Sequence, residues 1–249
     1  MQSHERMLGI LNLFDADDSY VALSFEEIHA RLGYTRSTLY RYLKALSDAG
    51  LLSSLPGLGY VLGPRIIELD YKIRSGDPLI RAAQPIMEEL ARQFSGIALL
   101  CRKYRDQVLC VHQESGTDQL RSNYERGRTR PLLKGAASVA ILAHLPHYQL
   151  GRLYSQRADE FRNAGYGTTL AEVKTALKAH RQRGWVYTQG DVTPGAGGIA
   201  APLFDGEQDV LGSLSLTLRD SQISPERLQH IADHVVLCAR IASKAVARS

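Results

Sequence analysis

The segment 36–44 concentrates side chains that can hydrogen-bond to the bases and phosphates of a nucleic acid. An arginine can bridge the O6 and N7 atoms of guanine with two hydrogen bonds, while lysine, tyrosine and hydroxyl groups can hold phosphate oxygens. Between Arg31 and Ser47 the sequence has four basic residues and no acidic one. Taken alone, the pattern also fits the solvated basic face of an ordinary helix. The candidate contact residues are Arg36, Ser37, Thr38, Tyr40, Arg41 and Lys44.

The residues around this segment predict two short helices joined by a tight turn. The first helix, over 24–32, begins with Ser24 and Glu27, which have the spacing of a capping box, and it ends at Gly33. Thr35 is suited to cap the second helix, and Gly50 stands where a helix end favours left-handed backbone. The spacing predicts a helix-turn-helix.

An apolar stripe and a hairpin complete this module. Leu39, Leu43 and Leu46 recur at helical spacing, on a different face from the basic residues. Behind them, an alternating segment with a turn at Pro56-Gly57 predicts a two-stranded wing. In a winged helix-turn-helix the second helix enters the major groove of double-stranded DNA. We therefore expect the face that carries Arg41 to read DNA.

Composition favours site-specific contact over diffuse attraction. The chain has 249 residues and a formal net charge of only +4, with 44% hydrophobic and 22% charged residues. The first 75 residues carry eight Lys/Arg and nine Asp/Glu, so positive charge is concentrated on one helix. No apolar run approaches the roughly 18 residues of a membrane span, and no signal-peptide core is present. We expect a cytoplasmic protein without a membrane partner.

The histidines and cysteines do not predict catalysis, a metal or a cofactor. Cys101, Cys110 and Cys238 lack paired spacing and are interpreted as buried thiols in a reducing compartment. His230 and His234 share one helix face, which fits a surface or oligomer contact better than a metal site without a third ligand. No motif of a nucleophile, a phosphate loop or a metalloprotease occurs. The rival class, an enzyme, is thereby disfavoured.

The rest of the chain predicts an α+β domain. A first helix over 5–14 precedes the DNA-reading module, and a helix from Pro64 to Gly76 follows it. Beyond these, we expect a mainly antiparallel sheet flanked by helices. The predicted strands are 97–104, 108–113, 120–124, 186–189, 199–204 and 210–217. The predicted helices are 79–94, 134–145, 170–183 and 225–247.

Over nearly its whole length, the chain resembles the IclR family of bacterial transcription regulators. The strongest match is YTRSTLYRYLKALSDAGLL, and GYVLGPRIIEL resembles the family's wing-to-linker junction. RPLLKGAASVAILAHLP, and GIAAPLFD followed by LGSLSLTL, resemble its GAF-like ligand-binding domain. The resemblance implies a winged helix-turn-helix domain over 1–63, a linker helix over 64–77, and a GAF-like effector-binding and oligomerisation domain over 78–249. It also implies dimers or dimers of dimers on palindromic operators.

The resemblance further places a small-molecule site at the start of the helix that opens with GAASVA. Small residues there let a ligand approach backbone N–H groups, which suits a carboxylate. The alternative is that small residues merely allow close helix–sheet packing. The resemblance implies as site residues Gly135, Ala136, Thr188, Ala196, Gly198, Ser213 and Ser215, and this chain's own Lys134 is a further candidate.

Departures from the family's pattern shape the expected ligand. Many members have histidine, alanine and threonine where this chain has Leu133, Lys134 and Gly135. Many also have a cysteine where this chain has Gly198, and an acidic residue near the position of Thr188. We expect an organic acid, aromatic acids included, with Lys134 either as its counter-ion or as a solvated surface lysine. The predicted function is an effector-modulated transcriptional regulator. The alternative is a ligand-sensing module that acts through a protein partner without specific DNA binding.

Overall fold

The computed structural model describes residues 3–14 and 22–247. By its internal contacts the chain divides into two compact units, residues 1–76 and 77–249. The first contains short helices and a two-stranded hairpin, and the second a six-stranded sheet with helices on both faces. The predicted α+β fold class, with a winged helix-turn-helix followed by a sheet-containing domain, is confirmed.

The helices of the first unit are short, and the predicted capping residues start the second and third of them. They are α1 (Ser3–Leu8), α2 (Phe25–Leu32), α3 (Arg36–Asp48) and α4 (Pro64–Gly76). The Ser24–Glu27 capping box is formed, and Gly33 ends α2 in the left-handed region at φ +64°. Thr35 caps α3 by accepting a hydrogen bond from the Thr38 N–H. Local side-chain chemistry thus sets the turn between α2 and α3.

The wing is a hairpin of β1 (Leu52–Leu55) and β2 (Gly59–Leu62). The strands pair from Leu52↔Leu62 to Leu55↔Gly59, and Gly57 turns at φ +76°. Gly59 has left-handed backbone at φ +107°, which favours glycine. A Cβ there would also stand 2.4 Å from the Leu23 carbonyl oxygen. Leu23 pairs with Tyr60, so the segment before α2 is held against the wing.

The second unit is built on an antiparallel sheet of order β5-β4-β3-β8-β7-β6. Its strands are β3 (Ile97–Tyr104), β4 (Gln107–Ser115), β5 (Thr129–Pro131), β6 (Val186–Gln189), β7 (Ala196–Phe204) and β8 (Val210–Arg219). Its helices are α5 (Pro78–Phe94), α6 (Ala136–Ala143), α7 (His147–Asn163), α8 (Leu170–Arg183) and α9 (Pro225–Val246).

Alternating side chains of the strands form two separate cores. Leu100 and Leu216 belong to the face that α5 and α9 cover. Leu99 and Ala200 belong to the opposite face, which packs against α6, α7 and α8. Successive side chains of a strand point to opposite faces, so both faces of one sheet can be apolar. Among the described residues, no helix has the length and apolarity that a membrane crossing requires.

Two predicted elements are wrong, and one α-helix and one strand of the described residues were not predicted. The helix expected over 5–14 is broken: α1 ends at Leu8, and a 3-10 turn, Leu11–Phe14, follows Gly9. This break buries Ile10 completely. The strand expected over 120–124 is irregular: the Tyr124 N–H donates to the Ser122 hydroxyl, and the Tyr124 hydroxyl donates to the Val108 carbonyl. The additional elements are α7 and β5.

Candidate functional site

The two faces of α3 have opposite character. Leu39, Leu43 and Leu46 are at most 2% exposed and lie in the core of the first unit, as the apolar stripe predicts. Tyr42 is buried beside them and makes an edge contact with Tyr34. With these side chains anchored, the opposite face of α3 is held outward.

That outward face carries the residues predicted to contact DNA. Thr38 is half-buried, and its hydroxyl accepts a hydrogen bond from Thr35, so it contributes to the helix start. Tyr40 is 60% exposed. The exposed residues of the predicted set are Arg36, Ser37, Tyr40, Arg41 and Lys44. The structure brings these side chains together on one surface, and their contact with DNA stays a prediction.

Two residues of α2, absent from the predicted set, organise this surface. Nη1 and Nη2 of Arg36 both donate to the carboxylate of Glu26. The Arg36 guanidinium also lies 5.2 Å from the ring centre of Phe25, which is 4.6 Å from the ring centre of Tyr40. Because Glu26 lies ten positions before Arg36, no helical periodicity could have revealed the pair. Arg36 is thus fixed by α2, whereas Arg41 lies 5.6 Å from the ring centre of Tyr42.

A cavity of about 460 Å³, part of it open to solvent, lies in the second unit where α6 begins. Most of the predicted ligand-binding residues line it, together with residues of β3, the 116–128 loop and the 190–195 loop. The predicted residues on its wall are Lys134, Gly135, Ala136, Thr188, Ala196, Gly198 and Ser215. The fold therefore gathers seven of the eight from separate parts of the chain, while their binding of a ligand stays a prediction.

Ser213 is the exception, because it does not line this cavity. It lies on the same face of β8 as Ser215, but it is fully buried, and its hydroxyl donates to the Ala137 carbonyl at 2.8 Å. Its polar group is therefore used to hold α6 on the sheet. Alternation along the strand gives both serines the same face, and only the position of α6 separates their roles.

The start of α6 leaves backbone donors at the cavity wall. Gly135 precedes the helix at φ +84° and supplies no side-chain cap. The Ala136 N–H donates to the Thr188 hydroxyl at 3.1 Å, and the first helical bond runs from the Val139 N–H to the Gly135 carbonyl at 3.0 Å. The intervening N–H groups belong to Ala137 and Ser138, which both line the cavity.

Glycines make room for this arrangement. A Cβ on Gly135 would stand 2.7 Å from the Val192 Cγ2 atom, and the backbone at φ +84° favours glycine in any case. A Cβ on Gly198 would stand 3.5 Å from the Ala136 Cβ, so a larger side chain there would reduce the free space. The cavity is thus wider than one with a cysteine at position 198 would be.

Sequence reasoning missed the polar residues of the 116–130 region. Arg130 lines the cavity, its guanidinium lies 4.7 Å from the Tyr124 ring centre, and its Nη2 donates to the Asn123 carbonyl. Burial lowers the pKa of Arg130, but a guanidinium remains protonated at neutral pH. Ser138 also lines the cavity and is 1% exposed. No periodicity distinguishes these residues, although a serine inside the apolar run GAASVA is an available signal.

The three cysteines are buried thiols, and two histidines of α9 lie next to each other. All three cysteines are free and buried, and burial raises the pKa of the Cys101 thiol and that of Cys238, the latter to about 11. His230 and His234 are neighbours, with ring centres 4.4 Å apart. Within residues 3–14 and 22–247, no three His, Cys, Asp or Glu side chains are placed to hold a metal ion.

Known proteins resemble both units. The IclR helix-turn-helix domain model matches residues 3–56, and the model of the C-terminal domain of bacterial transcriptional regulator IclR matches residues 72–244. The chain is 25% identical over 232 residues to the HTH-type transcriptional regulator KipR of Bacillus subtilis, covering 92% of this chain and 91% of that protein.

Solved structures show the same fold. An IclR transcriptional regulator from Alicyclobacillus acidocaldarius has a TM-score of 0.81 at 23% identity, covering 98% of each chain. An IclR homologue from Microbacterium hydrocarbonoxydans, solved in complex with 4-hydroxybenzoate, has a TM-score of 0.77 at 19% identity, covering 100% of each chain.

Proposed function

Because the chain belongs to the IclR family of bacterial transcriptional regulators, we propose that α3 reads a palindromic operator and that a small organic acid, aromatic acids included, controls operator affinity. The chain is a DNA-binding transcriptional regulator of the IclR type. The observation that carries the proposed mode of DNA reading is the exposed polar face of α3, anchored from behind by buried leucines.

On this surface the proposed roles differ between side chains. Arg41 has no carboxylate partner within the described residues, so its donors are available to a base edge in the major groove. Lys44 lies 3.1 Å from Asp48 and is suited to a phosphate, as are the hydroxyls of Ser37 and Tyr40. Arg36 binds Glu26 and would reach DNA only by leaving that carboxylate.

The cavity beside α6 is the proposed effector site. Free N–H groups at the start of α6, together with nearby cationic side chains, favour an acid. The homologue from Microbacterium hydrocarbonoxydans was solved with 4-hydroxybenzoate, a small aromatic acid, which supports the same class here.

We propose the three-part division 1–63, 64–77 and 78–249, with the linker helix joining the DNA-binding and effector-binding domains. An effector changes operator affinity only if it binds the DNA-competent and incompetent arrangements with different affinities. A homo-oligomer would present two recognition helices about 34 Å apart to a palindrome. A contact between copies of the chain is supported by three exposed apolar side chains of α4. They are Ile67, Tyr71 and Ile73, which are 70%, 60% and 54% exposed.

An electrophoretic mobility shift with DNA from upstream of the protein's own gene tests the proposal. We expect retardation of this DNA at concentrations that leave a scrambled duplex free, and a change in retardation when the effector acid is added. Lys178→Ala, which removes one positive charge from the exposed side of α8, should bind both duplexes like the wild type. Equal affinity for both duplexes would instead favour a sensor that acts through a protein partner.

A further inference from the structure

Two polar atoms at the wall of the cavity have no hydrogen-bond partner within the described residues. They are Nε of Arg130 and Oγ of Ser138, and both residues line the cavity. A buried polar atom that lacks a partner forfeits the hydrogen bonds it would make with water. Two such atoms on one cavity wall indicate that a polar group of a ligand belongs there.

Arg130 is held in place by contacts that do not involve its Nε atom. Its Nη2 donates to the Asn123 carbonyl at 2.5 Å, and its guanidinium lies over the Tyr124 ring. Asn123 is tied in turn to the 190–195 loop, since its N–H donates to the Thr193 hydroxyl at 3.1 Å and its side chain to the Val192 carbonyl at 3.3 Å. The guanidinium is therefore positioned before a ligand arrives, which lowers the entropy cost of binding.

Ser138 contributes from α6. The residue is 1% exposed, and its hydroxyl is unpaired within the described part of the chain. Its own N–H and that of Ala137 precede the first helical hydrogen bond. These donors lie at the positive end of the helix dipole, where a negative charge is stabilised.

We propose that the cavity binds a monocarboxylate whose carboxylate group is held by Arg130 and Ser138, and that Lys134 is not its counter-ion. This inference rests on the proposed effector site. Lys134 is exposed, so its charge is hydrated and its attraction for a ligand is screened. Arg130 is half-buried, and a charge-assisted hydrogen bond is stronger where water is excluded.

The charges around the cavity set the expected charge of the ligand. Arg130 and Lys134 are the cationic residues that line it, and Asp191 is the carboxylate. Lys134 and Asp191 are both exposed, so water and salt screen their charges alike. One carboxylate can pair with the half-buried Arg130, whereas a second would have no half-buried cation of its own. We expect benzoate, 4-hydroxybenzoate or pyruvate to bind better than the dianions phthalate and succinate.

Calorimetric titration of these five acids into the full-length protein tests the assignment. Arg130→Gln should weaken binding of the best monocarboxylate by at least about tenfold. Lys134→Ala should leave its affinity within about twofold. Ser138→Ala, which removes one oxygen from a well-packed helix, should weaken it by about threefold or more. Benzamide, which lacks the charge, should not distinguish Arg130→Gln from the wild type.

Thermal unfolding of each variant shows whether Arg130→Gln is folded. If Arg130→Gln is not folded, the affinity of Ser138→Ala for the acids tests the inference independently. Wild-type affinity for the acids in both Arg130→Gln and Ser138→Ala would overturn the inference while leaving the effector site proposed above intact. A loss confined to Lys134→Ala, or tighter binding of phthalate than of benzoate, would also overturn it. If none of the acids bound the wild type, the acid-effector proposal would fail together with this inference.

Discussion

Arg41→Ala is the substitution that most directly examines how α3 reads DNA. Arg41 is exposed on the face opposite Leu39, Leu43 and Leu46, so its removal leaves the core of the module unchanged. If its guanidinium bridges a guanine, the substitution should weaken specific binding by about 1–3 kcal/mol, roughly five- to 150-fold. Fluorescence anisotropy with the operator and with a scrambled duplex, over a series of salt concentrations, measures this loss.

Arg36 and Glu26 supply the comparison. Arg36 must give up its two hydrogen bonds to Glu26 before it can bind DNA, and so Arg36→Ala should cost less affinity than Arg41→Ala. Glu26→Gln should tighten DNA binding, because it removes a negative charge beside the phosphates and releases Arg36. Lys178→Ala, far along the chain on α8, remains the control for a general change of charge.

Three results would refute this reasoning. An equal loss of affinity for the operator and the scrambled duplex would assign Arg41 to a phosphate. The slope of the logarithm of affinity against the logarithm of salt concentration would then fall by about one. Unchanged affinity in Arg41→Ala would remove that side chain from the interface. Weaker DNA binding in Glu26→Gln would mean that Arg36 contacts DNA while Glu26 holds it in place.

Further predictions concern stability. Leu43→Ala should lower the free energy of unfolding by about 2–5 kcal/mol in urea denaturation, and an exposed Ala45→Ser should not. Gly135→Ala should lower the melting temperature, because φ +84° and the 2.7 Å approach to Val192 leave no room for a methyl group, and an unchanged melting temperature would contradict this. Burial lowers the pKa of His144 in the folded state. The stabilising contribution of the neutral imidazole is therefore present above the unfolded pKa of about 6.5 and is lost as the pH falls below that value. His144→Asn should flatten the fall in unfolding free energy between about pH 7 and 5.

Elements with strong local signals are predictable from the sequence. The capping box before α2, the Thr35 cap of α3 and the Pro56-Gly57 turn each depend on residues a few positions apart, and the structure confirms them. The helix α7 was not predicted. Only Leu150, Leu153 and Phe161 are buried among its 17 residues, and seven residues separate the last two, so the apolar periodicity is sparse.

The sequence by itself determined the winged helix-turn-helix, the outward face of α3 and the mainly antiparallel sheet, because apolar periodicity and caps act within single elements. Only the tertiary structure decided that Glu26 holds Arg36, that Ser213 supports α6 while Ser215 lines the cavity, and that Arg130 lies at the cavity wall. These relations join segments that are distant along the chain, through loops and close packing, and no local pattern encodes them.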